Sequence, residues 1–272
     1  MTTPPFRALG QAMPWVDGVR LDERPPWWDL PALGRTRRAL LGFDFVYDLQ
    51  TSRRSSRYFR LAGRPPWSGI ARGCSHPHAN PQRDRMHTIE RQREQLQVAG
   101  ISTFPTPALD WLVGLGGERG LRRPYALVIP GGAGVGSPKR WPVRNYARLA
   151  SMLDARGLLP VVIGGKAEAE LGQAIARACP AAVDLTGSTS VPDIAALARD
   201  AAFAVGNDTG PLQLAAKAGA RTVALFSAAS VIAEAAPRGP QGEWVTVIQE
   251  PDLERLSVER VMAAIAQGSN SR

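Results

Sequence analysis

The sequence predicts a parallel α/β protein of the doubly wound kind. From Tyr125 onward, short apolar runs alternate with longer segments whose apolar residues recur every three or four positions, as in strand-helix repeats around a buried parallel sheet. The junctions after the apolar runs carry small or polar residues, "PGGAGVGSPK", "GGKAE" and "GNDTGP", where a chain must turn from a strand into a helix. A length of 272 residues with 44% hydrophobic content supplies core for two modest domains.

Taken in order, "TTPPFRALGQAMPW" reads as an amphipathic helix, "DGVRLDE" as a strand, "LPALGRTRRALLG" as a helix and "FDFVYDLQ" as a strand. "GRPPWSGIARGCSHPHANPQRDR" reads as a long loop, and loops of that length are usually functional. A helix at "TIERQREQLQVAG" and the proline-rich "STFPTPALDW" lead onward. The strands expected next are "YALVIP", "LPVVIGG", "AAVDLTG", "AFAVGN" and "RTVALFS". The intervening helices are "VRNYARLASMLDARG", "AEAELGQAIARAC", "VPDIAALARDA" and "PLQLAAKAG", and "SVERVMAAIAQG" closes the chain. This pattern divides the chain into residues 1–120, a less regular α/β domain, and residues 121–272, a Rossmann-like domain. The opening is unusual because a helix precedes any strand, so the first domain is expected to be small or to lack its beginning.

A net charge of +9 and a pI near 10.5 imply an anionic partner: nucleic acid, an acidic lipid leaflet or a phosphorylated substrate. Basic residues gather in "RTRRALLG", "TSRRSSRYFR" and "RDRMHTIERQREQ", each spaced like one helix face, which suits a solvated face or one turned to anionic lipid or substrate. No recognisable nucleic-acid reader motif accompanies them, so no nucleic acid is expected as partner. Cys74 and Cys179 make no disulfide framework, and no apolar run reaches membrane-spanning length or forms a signal core; the cytoplasm is the expected compartment. His76, His78 and His87 lack Cys or carboxylate companions at ligand spacing, so no metal is expected and surface-loop or acceptor-site roles fit them better. Trp15, Trp27, Trp28 and Trp67 read as packing or interface residues. A G-x-S-x-G nucleophile elbow is absent.

The glycine loop Gly131, Gly132, Gly134, Gly136 matches neither the G-x-G-x-x-G spacing of dinucleotide sites nor the P-loop, because Ser137 and Pro138 stand where Lys and Ser/Thr belong. What remains is a strand end, a flexible loop, then Lys139 and Arg140 ahead of a helix; backbone N–H groups near the helix start with Lys139 would make a diphosphate site, and the other reading is a simple tight turn. In "GNDTGPLQL", Thr209 or Gly210 would cap a helix with Pro211 in its first turn, leaving free N–H groups at a strand's carboxyl end. Asp208 there would repel phosphate and suits sugar or ribose hydroxyls. Glu168, in the third such turn with Gly164, Gly165 and Lys166, would meet ribose hydroxyls or favour the positive end of its helix. Together these turns suggest a nucleotide joined to a sugar.

With those motifs in order, "PGGAGVGSPKRWP", "VVIGGKAEAE", "DLTGSTSVPDIAALARDA" and "GNDTGPLQLAAKAGARTVALFS", backed by "FDFVYDLQTS", the sequence resembles glycosyltransferase family 9, the bacterial lipopolysaccharide heptosyltransferases. The resemblance implies a GT-B fold of two Rossmann-like domains, the first on the acceptor side and the second on the donor side, and a reaction that needs neither metal nor cofactor. It implies transfer of heptose from ADP-heptose to a phosphorylated glycolipid at the inner face of the cytoplasmic membrane. Lys139 matches the lysine that meets donor phosphate; Asp208, Thr209 and Gly210 match the D-T-G that holds the donor, and Glu168 matches an acidic donor contact. Gln213 stands where family members commonly place a His. Family members also open with a glycine-rich strand-to-helix segment bearing the Asp general base, which this sequence does not contain; the first domain is therefore expected to be incomplete and no catalytic residue is assigned. A nucleotide-sugar-binding protein or partner subunit without turnover is the alternative, and a nucleotide-sugar epimerase would use the same architecture.

Overall fold

The computed structural model describes residues 1–106, 108–122, 124–132, 140–243 and 245–267. The chain forms two units, Met1–Pro105 and Thr106–Arg272.

The first unit is built on a three-stranded parallel sheet in the order β1 (Val46–Tyr47), β2 (Trp67–Gly69), β3 (His76–Pro77). Its helices are α1 (Arg7–Ala12), α2 (Leu30–Leu40), α3 (Arg53–Leu61) and α4 (Thr88–Val98). Asp29 starts α2 by accepting from the Ala32 N–H at 3.0 Å, and Pro31 in the first turn costs nothing there because its missing N–H would be unpaired anyway. Ser52 and Ser55 form a reciprocal capping box at the start of α3. Leu40, Tyr58, Phe59, Ala62, Trp67, Ala71 and Cys74 make one apolar core, with the rings of Phe59 and Trp67 5.6 Å apart. The Tyr58 hydroxyl donates to Asp22 at 2.7 Å; burial, then that carboxylate, pushes its pKa up to about 12.

Three expectations for this unit are corrected. "DGVRLDE" is not a strand: Leu21 makes only an isolated bridge to Thr2, since neighbouring prolines and charges leave it no ladder. The long "GRPPWSGIARGCSHPHANPQRDR" segment is not all loop but contains β2 and β3, whose shortness hid them. His78 and His87 are not surface residues. His87 is buried and its Nδ1 accepts from the Ile89 N–H at 3.2 Å, starting α4, while buried His78 lies between Arg83, 3.4 Å away, and Glu94, 3.5 Å away. Among the described residues, no three His, Cys, Asp or Glu side chains are grouped to hold a metal ion.

The second unit holds α5 (Asp110–Val113), β4 (Tyr125–Ile129), α6 (Val143–Asp154), β5 (Leu159–Val162), α7 (Ala169–Ala178), β6 (Val183–Asp184) and α8 (Val191–Asp200). It continues with β7 (Phe203–Asn207), α9 (Gly210–Lys217), β8 (Thr222–Phe226), α10 (Ile232–Ala235), β9 (Thr246–Gln249) and α11 (Val258–Gln267). All six strands are parallel, in the order β6-β5-β4-β7-β8-β9. Every residue of β4, β5, β7 and β8 is buried, as expected of strands covered by helices on both faces. Helix α6 turns Tyr146, Leu149, Ala150 and Leu153 inward, and α11 turns Val258, Val261, Met262 and Ile265 inward, both at the i, i+3, i+4, i+7 spacing of one helix face. Edge strand β9 was not anticipated from the sequence, because only Ile248 of its four residues is buried and the apolar signal is faint.

Ser190 and Asp193 form the capping box of α8, with Pro192 in the first turn. Burial works to raise the Asp193 pKa, but hydrogen bonds from Ser190 and Gly117 and the charge of Arg119, 3.0 Å away, outweigh it and bring it down to about 2. A depressed carboxylate pKa gives stability that is present above the unfolded-state value near 3.8 and lost as pH falls through about 2. Asp193→Asn should therefore destabilise the protein near neutral pH, and the gap from the native chain in urea melts should close between about pH 4 and pH 2. A gap independent of pH would assign the effect to packing instead. Among the described residues, no helix is long and apolar enough to cross a membrane.

Candidate functional site

The strand order of the second unit reverses between β4 and β7: the chain runs outward through β5 and β6 on one side and through β8 and β9 on the other. Loops leaving the carboxyl ends of strands part at such a point and leave a crevice. An open cavity of about 340 Å³ lies there, lined by Gly131 and Gly132 after β4, Gly164, Gly165 and Glu168 after β5, and Asp208, Thr209, Gly210 and Pro211 after β7.

The glycines are there for close approach. A Cβ on Gly131 would lie 3.0 Å from Glu168 Cγ, and Gly132 has a φ of +154°, which L side chains rarely adopt. Beneath them, a Cβ on Gly206 of β7 would lie 2.6 Å from the Ile129 carbonyl oxygen and 2.7 Å from its Cβ. Gly206→Ala must push two central strands apart; we expect a loss of about 3 kcal/mol or more, read as a lowered denaturation midpoint.

Asn207, wholly buried, ties the glycine loop to the sheet. Its side-chain N–H groups donate to the carbonyls of Pro130 at 3.0 Å and Gly131 at 2.9 Å, and its oxygen accepts from the Trp141 N–H at 3.0 Å. Both ends of the loop are thus fixed by one side chain. Trp141 is itself anchored, with its indole N–H donating to Leu256 O at 2.9 Å and its ring edge-on to Tyr146 at 4.8 Å. Thr209 caps α9, its hydroxyl oxygen accepting from the Leu212 N–H at 3.4 Å. Gly210 and Pro211 thereby present the first turn of α9 to the cavity, where helix geometry favours negative charge; Pro211 has no N–H and Leu212 spends its own on Thr209, so Gly210 carries the N–H of that turn left for a ligand.

Glu168 accepts from the Gly165 N–H at 2.8 Å and its other oxygen lies 3.6 Å from Arg140, whose guanidinium also donates to the Gly132 carbonyl at 3.2 Å. Arg140 Nε is buried without a hydrogen-bond partner. Asp208 accepts from the Ser230 hydroxyl at 3.2 Å. The cavity so combines two carboxylates and the start of α9, with the Arg140 guanidinium beside its lining against Glu168 and Gly132, a set able to hold both an anionic group and hydroxyls.

Of the residues expected from the sequence, Gly131, Gly132, Glu168, Asp208, Thr209 and Gly210 meet around this one cavity. Gln213 does not line it: its side-chain amide donates to the carbonyl of Ala235, the last residue of α10, at 2.5 Å. Lys139, Gly134 and Gly136 lie outside the described residues. Sequence reasoning did not assign Asn207 or Arg140. The signals were a polar residue ending an otherwise apolar strand and a second cation beside Lys139.

The family model for glycosyltransferase family 9 (heptosyltransferase) matches residues 33–263, most of the chain and both units. The chain belongs to glycosyltransferase family 9. Among curated relatives, lipooligosaccharide heptosyltransferase 2 of Haemophilus influenzae is 32% identical over 113 residues, 40% of this chain and 32% of that protein, so the matched stretch spans about a third of its length. Among solved structures, the ADP-heptose lps heptosyltransferase II of E. coli shares 22% identity with a TM-score of 0.71, covering 98% of this chain and 88% of that one. The E. coli heptosyltransferase WaaC with ADP shares 20% identity with a TM-score of 0.76, covering 97% and 88%. A family 9 glycosyl transferase from Veillonella parvula shares 18% with a TM-score of 0.76, covering 95% and 85%. These likenesses establish the fold of this family 9 chain as the α/β GT-B type.

Proposed function

We propose that this chain transfers a sugar, heptose, from ADP-heptose or another nucleotide-diphosphate sugar to a phosphorylated glycolipid of the lipopolysaccharide core at the inner face of the cytoplasmic membrane. The observation that carries this reading is the convergence of three strand-end turns on the crevice between β4 and β7, with Glu168, Asp208 and the start of α9 around it and Arg140 held against Glu168. Membership of family 9 and the ADP bound by the E. coli neighbour supply the nucleotide. In transfer, an acceptor hydroxyl oxygen bonds to the sugar carbon as the bond from that carbon to the diphosphate breaks, the electron pair leaving with the diphosphate and the hydroxyl proton passing to water or to a diphosphate oxygen. The departing diphosphate gathers negative charge, which Arg140, Lys139 and the N-terminal end of α9 would stabilise; Asp208 and Glu168 would accept from sugar and ribose hydroxyls.

The test is titration calorimetry with ADP, followed by mass spectrometry of a lipopolysaccharide-core acceptor incubated with ADP-heptose. Saturable ADP binding and a product heavier by one heptose support the reading. Donor binding without turnover would make the chain a nucleotide-sugar-binding protein or partner subunit, and no ADP binding would remove the donor assignment. Thr209→Ala should cost about 1 kcal/mol of stability through the lost cap and also weaken ADP, whereas Thr209→Ser should preserve both. If the two variants bind ADP alike, the cap does not shape the donor site.

A further inference from the structure

The turn after β8 begins a strap that runs back along α9. Ser227 follows β8 directly; its carbonyl accepts from the Ser230 N–H at 3.1 Å and its hydroxyl oxygen accepts from the Ala229 N–H at 3.2 Å, so the chain doubles back at once. Both serines are buried, and the Ser230 hydroxyl spends its one proton on Asp208, 3.2 Å away in the turn that follows β7. Beyond Ser230 come α10 and the segment to Pro240. A helix of four residues leaves its last carbonyls without partners of its own, and the backbone behind it needs partners as well. Helix α9 supplies the donors. Gln213 donates to Ala235 O at 2.5 Å, and Lys217 Nζ donates to Gly239 O at 3.1 Å and to Pro240 O at 2.9 Å. Gln213 and Lys217 stand four residues apart, one above the other on one side of α9. Ala236 and Pro237, between these ties in sequence, are buried.

Asp208 lines the donor cavity, whereas Ser230 and Gln213 do not. Ser230 holds one oxygen of the Asp208 carboxylate and leaves the other for a ligand hydroxyl. A carboxylate held in place beforehand loses little freedom when the ligand arrives, so the strap contributes to binding without touching the ligand. Its effect falls on one part of a nucleotide sugar. Glu168 follows β5 and Asp208 follows β7, on the two sides of the glycine loop that follows β4. In sheets of this kind the acidic residue after the second strand of the nucleotide unit takes the ribose, here Glu168, which leaves Asp208 for the sugar beyond the diphosphate.

We propose that Ser230 and Gln213 are positioning residues for the sugar of the donor: through the strap after β8 they hold the Asp208 carboxylate in the setting that accepts a sugar hydroxyl. This rests on the transferase reading, which assigns the crevice to a nucleotide sugar. The test is titration calorimetry with ADP and ADP-heptose side by side, on the full chain and on Asp208→Ala, Ser230→Ala and Gln213→Glu. Ser230→Ala removes the bond to Asp208, and Gln213→Glu sets a carboxylate against the Ala235 carbonyl and frees the strap. Each should weaken ADP-heptose about fivefold, the worth of one hydrogen bond, and leave ADP within about twofold. Neither should add a further loss when combined with Asp208→Ala, because both act through that carboxylate. Ser230→Ala, which deletes a single hydroxyl, carries the comparison where Gln213→Glu lowers the melting point.

A merely structural role would lower both ligands together and add to the loss from Asp208→Ala. Equal losses for ADP and ADP-heptose, a further loss in the Asp208→Ala background, or no loss from Ser230→Ala where Asp208→Ala costs ADP-heptose would each overturn the proposal and leave the donor assignment standing. An Asp208→Ala chain that binds ADP-heptose as the native chain does would overturn the proposal together with the role given to Asp208. Failure of the native chain to bind either ligand would remove the transferase reading and the proposal with it.

Discussion

Asn207→Ala is expected to lower unfolding stability by about 3 kcal/mol, because it orphans one donor and two acceptors in the interior, where each unsatisfied group costs about 1 to 3 kcal/mol. The three bonds it removes join the Pro130 and Gly131 carbonyls and the Trp141 N–H, the two shoulders of the glycine loop, to the end of a central strand. The open cavity beside Gly131 gives water a route to some of the orphaned groups, which is why the expected loss is well below the sum of three full penalties. Asn207→Asp separates shape from hydrogen bonding. It keeps the acceptor for Trp141 N–H but turns a buried carboxylate toward two carbonyl oxygens, so it should destabilise at least as much as alanine. Urea melts at neutral pH read both, with an unchanged slope. A loss under about 1 kcal/mol for either variant would mean that the glycine loop is held by its own backbone and not by this side chain.

The second unit was legible because its periodicities are consequences of burial. A strand covered on both faces must be apolar throughout, as "YALVI" is, and a helix on a sheet must repeat at i, i+3, i+4, i+7, as Tyr146, Leu149, Ala150 and Leu153 do. The site was legible for a related reason: turns at strand ends need glycines and caps, so Gly131, Gly164 and Thr209 marked the crevice before any coordinates did. Where an element is short or half exposed the signal fails. Strands β2 and β3 hid within a proline-rich stretch, and β9 shows one buried residue in four. Asn207 escaped assignment since its role depends on Pro130, Gly131 and Trp141 being brought together from a distance in sequence. The bond from the Gln213 amide to Ala235 could not be foreseen either, since its partner is supplied by α10, which the sequence pattern did not reveal.

Arg140→Ala should weaken ADP about 10-fold to 100-fold and leave adenosine unaffected, the expected cost of losing a hydrogen-bonded charge against a diphosphate. Arg140 is held in place before any ligand arrives, by the Gly132 carbonyl at 3.2 Å and by Glu168 at 3.6 Å, so little ordering remains to oppose binding. Lys139→Ala should weaken ADP about 10-fold, the contribution of a single ammonium against a diphosphate. Removing Arg140 also strips Glu168 of its counter-charge, which by itself would repel a diphosphate. Arg140→Ala with Glu168→Gln separates the two effects: if much of the loss is returned, repulsion by the unpaired carboxylate was the larger part, and if none is, the guanidinium meets the phosphate directly. Calorimetry with ADP and adenosine side by side reads every arm. Equal losses for the two ligands would show that Arg140 shapes the pocket without meeting the diphosphate, and the chemistry assigned to the crevice would then have to rest on Lys139 and the start of α9.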